Sequence, residues 1–169
     1  MTTIHRIVAA EAGLREGLSR LLVDCVDGGA SVGFLAPLST AAAARYWDGV
    51  LAALGPEHAL WVARDGDGII GSVQLALCPK ENGLHRAEVQ KLFVMRSHRR
   101  SGVAAQLMAE LETFARAAGR TLLVLDTEAD SGAEAFYRRL SWRRVGEIPG
   151  YARNPDGTLR ATALYFKAP

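Results

Sequence analysis

The junction at residues 93–107 constrains the fold more than any other stretch, because an apolar strand passes there through a basic turn directly into an amphipathic helix. Arg96, Arg99 and Arg100 precede Gly102 in this turn. The first turn of a helix carries backbone N–H groups that lack intrahelical partners, together with the positive end of the helix dipole. Such a helix start binds phosphate. The junction therefore predicts an anion site, and its three guanidinium groups favour a ligand that carries a diphosphate.

Two simpler interpretations of the junction stay open at this point. Gly102 could merely begin a helix, and the arginines could form a solvated basic rim, since short motifs often match by chance. Two nucleotide-binding folds are disfavoured, because the chain has neither G-x-G-x-x-G after a strand nor G-x-x-x-x-G-K-[ST].

Size and composition favour one domain that spans residues 1–169. The 169 residues, 49% of them hydrophobic, are enough to build one substantial core. A net charge of +2 does not indicate nucleic-acid binding. Cys25 and Cys78 have neither disulfide-framework nor zinc-site spacing, so we expect no metal. No segment approaches the ~20 apolar residues of a membrane span and no signal peptide is evident, so we expect a cytoplasmic protein without membrane or nucleic-acid partners.

The apolar periodicity predicts an α+β (αβα) domain in which helices cover a mixed sheet. Helical spacing predicts helices at 11–25, after a cap at Ser39 or Thr40, from Gly102 to a stop at Gly119, and at 131–140. Strands are predicted at 4–9, 59–64, 69–77, 87–95, 121–128, 142–147 and 162–167, with a hairpin turn at 65–68 and interruptions at 149–151 and 154–157. The strand, helix and strand around the basic turn should form a right-handed crossover between parallel neighbours.

The spacing Arg99-x-x-Gly102-x-Ala104 resembles the acyl-coenzyme A loop of the GNAT N-acetyltransferase superfamily, and the order of elements is similar to that fold over nearly the whole chain. The resemblance implies a single-domain, mostly antiparallel sheet with helices on both faces, and acetyl-CoA as cosubstrate. It further implies that two strands diverge around the pantetheine arm, which the Phe93 and Val94 backbone would contact. The pyrophosphate would then be held by Arg99, Arg100, Ser101, Gly102, Val103, Ala104 and Ala105.

The segment 132–142 looks like the Ala-x-x-x-Tyr-x-x-x-Gly-Phe segment of the superfamily, with Ser-Trp at its end. By this resemblance Tyr137 is the general acid, because a phenol can return a proton to a departing thiolate. Ser131 and Phe136 are placed beside the cofactor, although Ser131 stands where many members carry Asn. A packed aromatic ring with a satisfied hydroxyl is the alternative for Tyr137.

Glu88 and Asp126 are the candidate general bases, because each is an acid in an otherwise apolar strand. An ionised group there is costly unless it is paired or faces a wet cleft. The alternatives are an ion pair or helix cap for Glu88 and backbone hydrogen bonds at a strand end for Asp126. Glu128 is a lower-ranked third acid on the same strand face as Asp126. The sequence leaves the choice of base open.

Four blocks, at 28–34, 82–92, 125–129 and 145–151, look like the tabtoxin-resistance branch of GNAT enzymes, which acetylate a β-lactam amino acid. The resemblance implies direct transfer of acetyl from acetyl-CoA to a small-molecule amine, amino-acid-like or a β-lactam toxin, by a chain that could form a homodimer. Two alternatives stay open: a protein-lysine or peptide N-acetyltransferase, and a non-catalytic acyl-CoA sensor that would need neither Tyr137 nor a cleft carboxylate.

Overall fold

Seven strands form one sheet in the computed structural model, which describes residues 1–9, 11–66 and 68–169. The strands are β1 (Thr2–Ile7), β2 (His58–Asp65), β3 (Gly68–Leu77), β4 (Arg86–Val94), β5 (Leu122–Glu128), β6 (Arg143–Arg153) and β7 (Leu159–Lys167). The helices are α1 (Leu14–Asp27), α2 (Thr40–Ala52), α3 (Val103–Ala117) and α4 (Gly132–Arg139), and short 3₁₀ turns cover Glu81–Gly83 and Arg96–His98.

The strand order in the sheet is β1-β2-β3-β4-β5-β7-β6. Neighbouring strands run antiparallel except β4 and β5, which pair in parallel and are joined through α3. The predicted mixed, mostly antiparallel sheet is confirmed, and so is the parallel pairing of the two strands that flank the basic turn. Parallel neighbours need a long connection, and α3 supplies it. Because β4 lies in the middle of the sheet, α3 begins there, at the end of that strand.

Each face of the sheet carries its own hydrophobic core. On one face α1 and α2 bury Leu18, Leu22 and Trp47 against β2 and the end of β4. On the other face α3 and α4 cover a second core that contains Leu107 and Tyr137. The side chains of alternate strand residues enter opposite cores, as the two-residue period of a strand requires.

A β-bulge in β4 changes which core its side chains enter. Ser72 pairs with Phe93 and Gln74 with Gln90, so β4 has one residue more than β3 between these pairs. Within the bulge, Lys91 adopts a left-handed backbone with φ 53°. Before the bulge Val89 enters the α3–α4 core, and after it Phe93 enters the α1–α2 core. The bulge thus reverses the facing of the last residues of β4.

The parallel pair β4 and β5 diverges after three residues. Arg86, Ala87 and Glu88 pair with residues 122–124, and beyond these pairs no further residue of β4 meets one of β5 in the part of the chain that the structure describes. Each strand remains paired on its other side, β4 with β3 and β5 with β7. A gap therefore opens between the two strands towards the start of α3.

The predicted end of the sixth strand is wrong. The strand was expected at 142–147 with a break at 149–151, but β6 runs from Arg143 to Arg153 through Pro149. Pro149 is tolerated because β6 is the edge of the sheet, where a missing N–H breaks no ladder, and the register shifts between Ile148 and Ala152. Smaller differences are that β1 covers 2–7 and α1 covers 14–27. The predicted turn at 65–68 includes Asp67, which lies outside the described residues.

Candidate functional site

The start of α3 presents a row of unpaired backbone donors. Arg100 and Gly102 adopt left-handed backbones, with φ 64° and 87°, a conformation that suits glycine at the helix entrance. Within the described residues no acceptor binds any of the six N–H groups from Arg100 to Ala105, and the first helical bond runs from the Gln106 N–H to the Gly102 carbonyl, at 3.1 Å. No side chain caps the helix. Six consecutive free donors at a helix N-terminus form a site for an anion with several oxygens.

The three arginines of the turn have different surroundings. The Arg96 backbone N–H and side-chain Nε donate to Asp24 at 2.8 and 2.9 Å, so Arg96 fastens the turn to α1 and is not the free charge that the sequence suggested. Burial acts to raise the pKa of Asp24, but these hydrogen bonds and the charges of Arg96 and Arg99 lower it overall. Arg100 is exposed and has no ion pair within the described residues. Arg100 therefore supplies the most available charge at the site.

The other residues of the predicted anion loop contribute main chain more than side chain. The Ser101 hydroxyl donates to the His98 carbonyl at 2.5 Å, and Val103 is buried in the core beneath the helix start. The side chains of residues 104 and 105 are methyl groups, so they leave their own N–H groups accessible. A Cβ on Gly71 of β3 would lie 3.1 Å from the Val103 side chain, so α3 and the sheet approach each other too closely for a larger residue.

The end of β4 borders the gap between the diverging strands. The Phe93 ring enters the α1–α2 core, and its carbonyl oxygen lies near Gly71 of β3. The Val94 carbonyl accepts a hydrogen bond from the Cys25 thiol at 3.6 Å. Both residues lie at the end of β4, next to the start of the anion loop, so their backbone borders the gap.

Tyr137 is buried in the α3–α4 core, with only 7% of its surface exposed. Its ring packs edge-on against Phe136 and Trp142, at centroid distances of 5.2 and 6.0 Å. The hydroxyl makes no hydrogen bond to another residue in the described part of the chain. Burial raises the pKa of Tyr137, and the negative charge of Asp126 raises it further. The phenol is therefore protonated at neutral pH and lies within electrostatic reach of Asp126.

Glu88 and Asp126 lie on the two diverging strands and are both exposed. Neither carboxylate forms an ion pair or a hydrogen bond to another side chain within the described residues. The third acid differs, because Glu128 accepts a hydrogen bond from the Asn154 amide at 2.9 Å and lies 3.9 Å from Arg160. Glu88 and Asp126 thus have no side-chain partner among the described residues, whereas Glu128 binds Asn154 in the turn between β6 and β7.

Lys91, at the bulge, is a candidate site residue that the sequence interpretation did not name. Its ammonium is half-buried and donates to the Val32 carbonyl, in the loop between α1 and α2, at 2.8 Å. Burial lowers the pKa of Lys91, and the charges of Asp126 and Glu88 oppose that change. The charges of both candidate bases therefore act on the ammonium. The signal was present, since Lys91 is a charge in an apolar strand, as Glu88 is.

A cluster of ion pairs around the buried carboxylate of Glu134 holds α4 in place behind Tyr137. Glu134 accepts hydrogen bonds from Arg138 and Arg144, each at 3.0 Å, and from the Tyr165 hydroxyl at 2.9 Å. Burial acts to raise the pKa of Glu134, but these partners lower it overall. The cluster ties α4 to β6 and β7 and so fixes the position of the Tyr137 ring.

Ser131 and Phe136 are the two residues near α4 that are predicted to contact the cofactor. Ser131 precedes the helix, and Phe136 lies within it. The Ser131 hydroxyl donates to the Glu128 carbonyl at 2.7 Å and does not cap the helix. Phe136 is half-buried against the α3–α4 core beside Tyr137.

Comparison with known proteins gives the family. Residues 33–142 match the family described as Acetyltransferase (GNAT) family. An uncharacterized N-acetyltransferase from the hisH-hisA intergenic region of Azospirillum brasilense is 35% identical over 126 residues, which cover 73% of this chain and 74% of that protein. The chain belongs to the GNAT acetyltransferase family. The matched region contains the anion loop, the diverging strands and Tyr137.

Solved structures share this GNAT fold. An N-acetyltransferase from Staphylococcus aureus Mu50 superposes with a TM-score of 0.80 at 16% identity, covering 99% of this chain and 98% of that one. The acetyltransferase yncA of Salmonella typhimurium, solved with its cofactor acetyl-CoA, gives a TM-score of 0.77 at 14% identity, covering 99% and 93%. The predicted single-domain GNAT fold is confirmed.

Two absences concern only residues 1–9, 11–66 and 68–169. No helix there is long and apolar enough to cross a membrane. No group of three or more His, Cys, Asp or Glu side chains is placed to hold a metal ion there.

Proposed function

We propose that this GNAT protein is an acetyl-CoA-dependent N-acetyltransferase of the tabtoxin-resistance branch, and that residues 1–169 act as one catalytic unit on a small-molecule amine. Acetyl-CoA would supply the acetyl group as an activated thioester, and no metal would take part. The observation that carries the proposal is the pairing of two features: six free N–H groups at the start of α3, and a buried phenol without a hydrogen-bond partner among the described residues beside an unengaged carboxylate.

The start of α3 would bind the diphosphate of the cosubstrate. The free N–H groups from Arg100 to Ala105 fit an anion with several oxygens, and the exposed Arg100 guanidinium adds a charge-assisted contact. The charge of Arg99, which also acts on Asp24 of α1, would add to the positive electrostatic potential at this site. From this loop the pantetheine arm would enter the gap between β4 and β5, past Phe93 and Val94, with Ser131 and Phe136 on the α4 side. The interrupted pairing of β4 and β5 leaves backbone groups for a peptide-like ligand to bind.

The side chains at the gap would move the two protons of the reaction. The acceptor reacts as the neutral amine, an ammonium first losing one proton to solvent, and Asp126 or Glu88 would accept the proton that the amine nitrogen gives up as the amide forms. The nitrogen then bonds to the acetyl carbon, the bond from that carbon to sulfur breaks, and Tyr137 donates its proton to the sulfur. The proton on the carboxylate returns to the phenolate through solvent. A raised pKa keeps Tyr137 in the protonated form that this step needs.

The way in which the loop between α1 and α2 is anchored favours the proposal that the acceptor is a small molecule. This loop, residues 28–39, is fastened at two separate points, because Lys91 Nζ donates to the Val32 carbonyl at 2.8 Å and the Ala36 N–H donates to the Pro155 carbonyl at 3.0 Å. The second contact joins it to the turn between β6 and β7. A loop held at two points, one of them by the Lys91 ammonium, favours a closed pocket over an open groove for an extended peptide.

A panel of amines tests the proposal through release of the coenzyme A thiol. The wild-type protein and Tyr137→Phe are incubated with acetyl-CoA and three classes of acceptor: small amines including amino acids, lysine-containing peptides, and no amine. We expect thiol release with small amines that the Tyr137→Phe variant slows. Release with peptides alone would favour the protein acetyltransferase. Binding of acetyl-CoA without release for any amine would favour the acyl-CoA sensor.

A further inference from the structure

The ammonium of Lys91 has unused hydrogen-bonding capacity. Of its three protons, one goes to the Val32 carbonyl, and the other two have no acceptor within the described residues. The nearest carboxylates, Glu88 and Asp126, do not come within 4 Å of Nζ, although their charges act on it. A charged group that is half-buried and incompletely hydrogen-bonded is costly in the free protein, and a ligand that completes its bonds recovers that cost.

The position of Lys91 is fixed by the backbone and by the loop above it. The bulge gives Lys91 a left-handed backbone, and the hydrogen bond to Val32 orients its ammonium. A Cβ added at Gly33 would lie 3.1 Å from Nζ, so the loop closes directly over the ammonium. The donor group is therefore held in place before any acceptor binds, which limits the entropy lost on binding.

The charges around Lys91 complement a particular kind of acceptor. The charges of two unengaged carboxylates, Glu88 and Asp126, act on this cation, while the third candidate acid, Glu128, is held by Asn154. The facing loop, residues 28–38, contains no ionisable side chain, and Tyr46 of α2 is bound to Gln74. An amine that faces the carboxylates and an acid group that faces Lys91 would satisfy both signs of charge.

We propose that Lys91 is a specificity-determining residue that binds a carboxylate of the acceptor, so that the preferred acceptors carry an amine and a carboxylate together. The inference rests on the proposed function. A carboxylate supplies both the negative charge and the hydrogen-bond acceptor that the unused protons of the ammonium lack. A phosphate monoester fits less well, because its second negative charge would lie near Glu88 and Asp126.

Pairs of amino acids and their amides test the inference, since each amide keeps the amine and removes the negative charge. The ratio of kcat/KM for acid over amide is measured for wild type, Lys91→Met, Lys91→Arg and the exposed control Lys80→Met. We expect wild type to favour the acids by about tenfold or more, the size of one charged hydrogen bond. Lys91→Met should lose this preference mainly through KM for the acids, whereas Lys91→Arg and Lys80→Met should keep most of it.

Other outcomes overturn the inference and separate it from the proposed function. If Lys91→Met slows acids and amides by the same factor, Lys91 only supports the loop. If wild type acetylates amines without carboxylates equally well or better, the proposed function stands and the role of Lys91 falls. If no amine releases thiol from acetyl-CoA, the proposed function itself fails.

Discussion

Replacing Tyr137 with Phe removes a hydroxyl that forms no hydrogen bond to any other described residue. Because that hydroxyl has no hydrogen-bond partner among the described residues, its loss should change the free energy of unfolding by less than about 1 kcal/mol. For a chain of this length this corresponds to a Tm shift below about 4 °C. If Tyr137 is the general acid, turnover should fall about 10²- to 10⁴-fold, the range for general acid catalysis. The variant thus separates catalysis from stability.

Tyr165→Phe is the matched control, because the Tyr165 hydroxyl donates to the buried Glu134 at 2.9 Å. Its removal takes a partner from a buried carboxylate, which should cost about 1–3 kcal/mol of stability and lower Tm by about 2–12 °C. Arg138 and Arg144 still bind Glu134 in this variant, and phenylalanine keeps the ring that packs 6.1 Å from the Tyr137 ring, so turnover of the remaining folded protein should stay within about threefold of wild type.

Both variants are compared by thermal unfolding and by thiol release under saturating acetyl-CoA. Burial and the Asp126 charge place the Tyr137 pKa above its usual value of 10, so the phenol should stay protonated and wild-type kcat should show no loss from its ionisation below pH 10. A Tyr137→Phe variant that turns over like wild type would remove Tyr137 from the mechanism. A large loss of Tm in that variant would show that its hydroxyl is structural after all.

Three further predictions concern the cofactor loop, the thiols and one strained turn. Arg100→Ala should weaken acetyl-CoA binding about tenfold in calorimetry, while Arg116→Ala at the far end of α3 should not; equal affinities would contradict the loop assignment. Burial raises the pKa of Cys25 to about 11, so iodoacetamide at about pH 8 should alkylate the half-buried Cys78 alone, and two adducts by mass spectrometry would refute this. Ser141 has φ 65°, so Ser141→Gly should stabilise the protein by up to about 1 kcal/mol in urea unfolding, and a loss of stability would argue against strain there.

The sequence predicted the start of α3 after the basic turn and the order of elements because their signals are local. Apolar spacing gives the helix after Gly102, and the turn residues before it give its start. The cap of α2 is equally local, and the Ala42 N–H does donate to the Ser39 hydroxyl at 3.1 Å. Features within one turn or one strand of each other can be predicted without knowing which parts of the chain meet.

The features that the sequence missed depend on distant parts of the chain. Arg96 binds Asp24, 72 positions away, and no local pattern shows that pairing. The run of β6 through Pro149 follows from its place at the sheet edge, which is set by the strand order. The bulge at Lys91 appears only in the register against β3. Whether the Tyr137 hydroxyl has a partner likewise depends on packing, so the sequence left that choice open.

The most direct test of the account is a titration of the ¹⁵N-labelled protein with coenzyme A, followed by the amide resonances of residues 100–105. We predict that these six resonances shift together and saturate, because their N–H groups donate to the diphosphate oxygens, and that Arg100→Ala weakens the response. Saturable binding that leaves all six resonances in place, with shifts elsewhere in the protein, would contradict it.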